Sequence, residues 1–309
     1  MKTIGIDLGG TKMSAGIVDE SGTVLKKVTV GRPVDQAGMV EGPLELAAQL
    51  MQADIAAIGL GAAGLVSWPD GRLVWGPNVV GRDVPFKDLL TTRFGLPTVV
   101  DNDANLAALA ESRVGVARGY RHVLLVTLGT GIGGGYVMDG RIYRGRSFAG
   151  EVGHMVIDVG GPRCTCGQRG CWETFASGRR LDQIARDVAA ADPAGLTARL
   201  AVGGPAAGSH LTEAATQGDP QAAQAVAEMG VWLGIGLASL VALLDPEVIV
   251  VGGGAARAGD ILLQPARDSI MAALEGSEFR RPTPLLAAGL GQDAGIIGAG
   301  LAAAELARG

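Results

Sequence analysis

The chain gathers all three of its cysteines into "RCTCGQRGCWE", residues 163–173, as Cys164, Cys166 and Cys171, and places His154 shortly upstream in "EVGH". Three thiolates and an imidazole are four soft or borderline ligands, the number a closed tetrahedral Zn²⁺ site requires. With no position left for water, such a metal holds structure and does no chemistry of its own. An odd cysteine count cannot complete a disulfide framework, so unbound thiols are the alternative.

A second group is "DND", 101–103, between the apolar run "LPTVV" and the segment "ANLAALAESRVG". A carboxylate at a strand-to-helix junction meets the positive end of the helix dipole, which holds it ionised and suits a general base. Helix capping explains one polar residue there, but a single cap does not use both aspartates.

Three glycine turns form the third group: Gly9-Gly10-Thr11, Gly129-Thr130-Gly131 and Gly252-Gly253-Gly254, each after an apolar run. Glycine lets the backbone approach a ligand and aim consecutive N–H groups at phosphate oxygens, and the hydroxyls of Thr11 and Thr130 add donors. None matches GxxxxGK[ST], and none is a GxGxxG that opens a helix with an acidic residue further on. Any one of them reads equally well as a tight turn; three at strand ends point to phosphate binding.

The elements that must position these groups repeat. "TIGIDLGGTKMSAGIVDESGTVLKKVTV" reads as strand, glycine turn, strand, polar turn, strand, and "HVLLVTLGTGIGGGYVMDGRIYRG", 122–145, has the same grammar. Two such meanders about 120 residues apart predict two similar α/β domains that present their glycine turns to a shared cleft, where ligands would sit. The predicted boundaries are 1–115, with a C-terminal helix over 293–309 packing back on it, and 116–292. Asp293 is the expected N-cap of that last helix, and Gly115 the expected close of a helix over 104–115. "IAAIGLGAAGLV", 55–66, and "DPEVIVVGGGAA", 245–256, each read as a buried strand running into a glycine loop.

Composition narrows the function classes. With 309 residues, 48% of them hydrophobic, the chain buries a substantial core and suggests two domains. A net charge of -5, from 26 basic and 31 acidic residues, leaves no footprint for nucleic acid. "MKTIGIDLGG" does not form a signal peptide, and "VWLGIGLASLVALL", 231–244, reads as a buried helix too short to span a membrane. The expectation is a cytoplasmic protein with reduced thiols and no membrane partner.

Taken together, these motifs resemble the ROK family (repressors, uncharacterised reading frames and sugar kinases) of the actin-like ATPase superfamily. The family's CxCGxxGCxE signature is met at every fixed position by "CTCGQRGCWE", 164–173; ExGH stands as "EVGH", DxGxTK as "DLGGTK", 7–12, and LGTGIGGG at 128–135. The resemblance implies two actin-like ATPase (ribonuclease H-like) domains and ATP-dependent phosphorylation of a hexose at the 6-hydroxyl, glucose in the branch the chain most resembles. It implies Mg²⁺ with the ATP, a structural Zn²⁺ on His154, Cys164, Cys166 and Cys171, and a homodimer or homotetramer.

By the same resemblance Asp103 takes the proton of the sugar 6-hydroxyl and Asn102 holds a neighbouring hydroxyl. Glu151, His154 and Glu173 bind further hydroxyls, with Asn78 and the backbone of Gly64 as additional sugar contacts. Asp7 helps to place Mg²⁺; Gly9, Gly10, Thr11, Lys12, Thr130 and Gly131 face the phosphates; Gly253 and Gly254 border the adenosine. Ser67 stands where many such kinases carry aspartate and Gly76 where alanine is common, which bears on sugar preference. The rival expectations are a kinase for mannose, fructose or N-acetylmannosamine, and a polyphosphate-using enzyme. Two non-enzymes are also weighed: a zinc-stabilised binding protein, and a sugar-responsive regulator, which the two residues before Thr3 leave no room for.

Overall fold

Ile4, Ile6 and Leu8 are fully buried along the first strand, β1 (Lys2–Leu8), as their alternation predicts. The computed structural model describes residues 1–76 and 82–309, so Asn78 lies outside the described residues. After β1 come β2 (Lys12–Asp19), β3 (Val24–Gly31), α1 (Gln36–Leu50), β4 (Ile55–Ala62), β5 (Leu65–Ser67), β6 (Arg72–Trp75), α2 (Phe86–Phe94), β7 (Thr98–Asn102) and α3 (Asp103–Arg113). The chain continues through β8 (Val123–Leu128), β9 (Ile132–Met138), β10 (Arg141–Ile142), α4 (Glu173–Ala176), α5 (Gly178–Ala191), α6 (Leu196–Leu200) and α7 (Gly208–Thr216). It closes with α8 (Pro220–Leu244), β11 (Val248–Gly252), α9 (Asp260–Ala273), β12 (Leu285–Ala287) and α10 (Ala294–Arg308).

Two sheets of five strands have the orders β3-β2-β1-β4-β7 and β10-β9-β8-β11-β12, so each is a meander extended by two later strands. The duplication legible in the sequence is therefore a duplication of sheet order, as the α/β actin-like fold requires. In the first sheet β1 runs antiparallel to β2 and parallel to β4, and β4 runs parallel to β7. In register, Leu8 pairs with Ala62 and Ala62 with Asn102, so the three parallel strands end level. Ligands of α/β sheets bind beyond such carboxyl ends.

The chain divides into two compact units, residues 1–125, 135–150 and 289–309, and residues 126–134 and 151–288. Within the first, α10 lies on the sheet and on α3. Side chains at Gly5 and Gly59 would collide with it, a Cβ at either standing 2.0 and 1.9 Å from the carbonyls of Ile296 and Ala299. Asp293 makes no capping bond at the start of α10, contrary to expectation; its carboxylate pairs with Lys27 of β3 instead. Helix α3 ends at Arg113, one turn bond before Gly115, whose amide still reaches the carbonyl of Glu111.

Within the second unit the apolar helix is longer than its sequence suggests. Asp219 caps it through the Ala222 amide at 2.9 Å, and α8 runs for 25 residues. That length and composition would cross a membrane, and among the described residues no other helix does so. More than half of its most apolar stretch is buried within the fold, however. The carbonyls of Leu262 and Ala266 in α9 lie where Cβ atoms on Gly230 and Gly234 would be, which makes α8 a packed core helix.

Candidate active site and metal centre

In the first unit the site is built at the level ends of β1, β4 and β7. The amide of Gly9 bonds to the carbonyl of Lys12 at 3.1 Å and closes the turn between β1 and β2. Asp7, one residue before the end of β1, is half-buried, and its carboxyl is pushed up to about 7, first by burial and then by the charge of Asp103. Lys12 and Lys27 pull it back down. Lys12 donates to Gln292 Oε1 at 2.5 Å, and the backbone of Gly295 lies so close to Asp7 that a Cβ there would stand 2.8 Å from its carboxyl carbon. Neither Lys27 nor Gln292 is marked by spacing in the sequence; the fold alone brings Lys27 near Asp7 and Gln292 to Lys12.

At the junction of β7 and α3 the three polar residues divide their tasks. Asn102 is the cap: its Oδ1 accepts from the amides of Ala104 at 2.9 Å and Asn105 at 3.2 Å, and its Nδ2 donates to the carbonyl of Gly64 at 3.1 Å. Gly64 has φ +127°, and a Cβ there would stand 2.5 Å from the Trp75 carbonyl, so only glycine fits. Asp101 is buried and paired with Arg144. Asp103 is thereby free of capping duty. The sequence predicts that the helix start holds it ionised, but burial outweighs the amide of Ala104 and raises its carboxyl above the usual range. A more basic carboxylate is a better proton acceptor near neutral pH.

In the second unit the amide of Gly129 bonds to the carbonyl of Gly131 at 3.0 Å, closing the turn between β8 and β9 just as Gly9 does in the first sheet. Gly253, at φ +88°, lies against this turn, where a Cβ would stand 2.4 Å from the Leu128 carbonyl. Thr130, Gly253 and Gly254 are exposed, so two glycine turns present open backbone side by side.

The cysteine cluster is assembled. One ligand atom each from His154, Cys164, Cys166 and Cys171 lies within 4.8 Å of every other. A tetrahedral Zn²⁺ with its usual bond lengths sets S···S at about 3.8 Å and S···N at about 3.6 Å. Here Cys166 Sγ stands 3.6 Å from Cys171 Sγ, and His154 Nδ1 stands 3.8 Å from Cys164 Sγ. The donor set and its spacing fit zinc. Burial, then the 2.9 Å hydrogen bond to Glu173 Oε1, pushes the Cys164 thiol up to about 12; a bound cation would displace that proton.

The cluster also orders the neighbouring carboxylates. Glu173 Oε1 lies 3.9 Å from His154 Nδ1, while His154 Nε2 faces Glu151 Oε2 at 4.0 Å. Between Cys171 and Glu173, Trp172 is fully buried and donates from Nε1 to the carbonyl of Trp232 in α8 at 2.9 Å. The family signature leaves position 172 open, so nothing in the motif singles this anchor out.

The ROK family profile matches residues 3–305. The glucokinase of Streptomyces coelicolor is 40% identical over 99% of this chain and 97% of its own length. The glucokinase of Thermotoga maritima is 36% identical over 97% of this chain and 96% of its own. Among solved structures, a ROK family glucokinase from Streptomyces griseus, in complex with glucose and AMPPNP, is 41% identical with a TM-score of 0.91, covering 99% of this chain and 100% of that one.

Proposed function

This chain belongs to the ROK family, and from that premise we propose that it is a glucokinase, which transfers the γ-phosphoryl group of ATP to the 6-hydroxyl of glucose and releases glucose 6-phosphate and ADP. The observation that carries this reading is the full-length likeness to the Streptomyces griseus enzyme solved with glucose and AMPPNP.

Phosphoryl transfer asks a protein for in-line positioning, charge neutralisation and a base, and little covalent chemistry. Asp103 takes the 6-hydroxyl proton as that oxygen attacks phosphorus; its raised pKa makes the transfer more favourable. Asn102 and the Gly64 backbone, already joined to each other, hold hydroxyls beside it, with Asn78 as a further sugar contact. Glu151, Glu173 and His154 take the remaining hydroxyls. A sugar lacking one of them leaves a buried polar group unpaired, which is how such a site discriminates.

Gly9, Gly10, Thr11, Lys12, Thr130 and Gly131 donate to the phosphates, and Gly253 and Gly254 border the adenosine. Lys12 exchanges Gln292 for a phosphate oxygen when ATP binds. Asp7 would help to hold Mg²⁺, which would neutralise phosphate charge. Cys164, Cys166, Cys171 and His154 Nδ1 would hold Zn²⁺, which would stiffen the loop that carries Glu173 and leave Nε2 of His154 for a hydroxyl. The working form is a cytoplasmic homodimer or homotetramer that engages neither nucleic acid nor membrane.

Initial rates of ADP release with glucose, mannose, fructose and N-acetylmannosamine, using ATP and polyphosphate in parallel, test the assignment. Glucose with ATP is expected to give the highest kcat/KM. A higher value for another sugar, or for polyphosphate, would reassign the substrate.

A further inference from the structure

We propose that Arg144 is a positioning residue that clasps the β5–β6 hairpin to the strand end carrying Asn102 and Asp103, and so preorders the sugar-binding backbone at Gly64; this rests on the glucokinase reading above. Arg144 Nε donates to Asp101 Oδ2 at 2.7 Å, with side-chain exposures of 18% and 4%. Its guanidinium lies over the Trp68 ring, 3.6 Å from the centroid. Asp101 uses its other oxygen to accept from the amide of Asn102 at 2.7 Å and from Asn105 Nδ2 at 2.9 Å. Trp68 is tied from a second side, its amide donating to Ser147 Oγ at 3.1 Å.

One guanidinium thus joins three stretches distant in sequence: the polar junction 101–103, the hairpin that follows Gly64, and the segment 143–150 that leads to Glu151. The clasp acts on the turn of the hairpin. Its strands, Leu65–Ser67 and Arg72–Trp75, are already anchored, with Val66 and Leu73 buried in the core and Leu73 bonded to Val84. Trp68 itself is 39% exposed, so core packing does not hold it. Only arginine meets both demands at once, since its plane pairs with a carboxylate at the edge while stacking on a ring by its face. An ammonium keeps the ion pair and loses the stack.

The clasp has a kinetic signature. Ordering the loop before glucose arrives removes an entropic cost from sugar binding and leaves nucleotide binding untouched. Arg144→Met is expected to raise KM for glucose roughly tenfold or more, with KM for ATP within about twofold, because it strands a buried carboxylate as well as freeing the hairpin. Arg144→Lys should fall between that variant and wild type. Trp68→Leu, which keeps the ion pair and alters a half-exposed position, gives the same split at lower amplitude and covers the case in which Arg144→Met fails to fold.

Hydrogen exchange of residues 65–75 in the sugar-free protein reads the clasp without any turnover; faster exchange there in Arg144→Met and Trp68→Leu supports it. Folded variants with unchanged exchange and unchanged glucose KM would overturn the proposal, as would equal rises in both KM values. If wild-type protein turns over no glucose, the glucokinase reading fails instead, and the exchange measurement still decides whether Arg144 holds the hairpin.

Discussion

Gly131 makes room for the carboxylate of Glu173: a Cβ built at Gly131 would stand 2.3 Å from Glu173 Oε2. The turn proposed to face the phosphates and the carboxylate proposed to face the sugar are thereby close neighbours within one unit, and the obstructed atom is the free end of a flexible side chain. Gly131→Ala is therefore expected to displace Glu173 at little cost in stability. Steady-state kinetics should show KM raised for glucose as well as for ATP, with the melting temperature nearly unchanged; a rise for ATP alone would separate the two groups.

Asp7 carries a pH dependence whose sign follows from its environment. Burial, and after it the charge of Asp103, raises this carboxyl from 3.8 to about 7. The folded protein thus holds the proton more tightly than the unfolded chain does, so the penalty is absent below pH 3.8 and grows as pH rises towards about 7. Ligand-free, EDTA-treated protein should lose stability across that window. Asp7→Asn should flatten the dependence and raise the melting temperature at pH 8 by a few degrees, roughly the effect of one kcal/mol in a chain this size, while abolishing turnover. Calorimetry across the pH range is the check, and an unchanged slope in the variant would assign the dependence elsewhere.

The proposed zinc site predicts a graded loss. A closed four-ligand site takes about one zinc per chain, and Cys166→Ser should remove it. Because His154 belongs to the cluster and Glu173 lies against it, metal loss is expected to raise KM for glucose before it affects ATP. Elemental analysis with paired KM measurements tests this; equal losses would indicate unfolding of the whole unit.

The seat of Trp172 in α8 predicts an overpacking defect. A Cβ on Gly236 would stand 2.1 Å from Trp172 Cε2, and this indole is rigid and fully buried. Gly236→Ala should destabilise the protein by about 1–3 kcal/mol in denaturant melts. A neutral result would mean that the indole has room to shift.

The parts legible in the sequence are those whose chemistry is local. The cysteines lie within one loop, and the two meanders share one order of strands and glycine turns, so the cluster and the duplicated sheets follow directly. Roles decided by distant partners do not. Asp293 pairs with Lys27 and makes no cap bond, and Asn102 takes the cap in "DND" while Asp101, still within β7, pairs with Arg144. The true start of α8 escapes a reading of apolar runs, since its first turns, "PQAAQAVAEMG", interleave polar residues that face solvent. Departure from the helix-dipole expectation at Asp103 has the same origin: the dipole is local, whereas the burial that outweighs it comes from the assembled fold.

Asp103 is the proposed base in ATP-dependent phosphorylation of glucose. The most direct test compares glucose 6-phosphate formation by wild-type protein and Asp103→Asn, with glucose binding measured on both by calorimetry. The predicted result is glucose binding retained and kcat lowered by roughly 10² to 10⁴ fold, the range for loss of a general base. A variant that forms glucose 6-phosphate at a near-normal rate would contradict it.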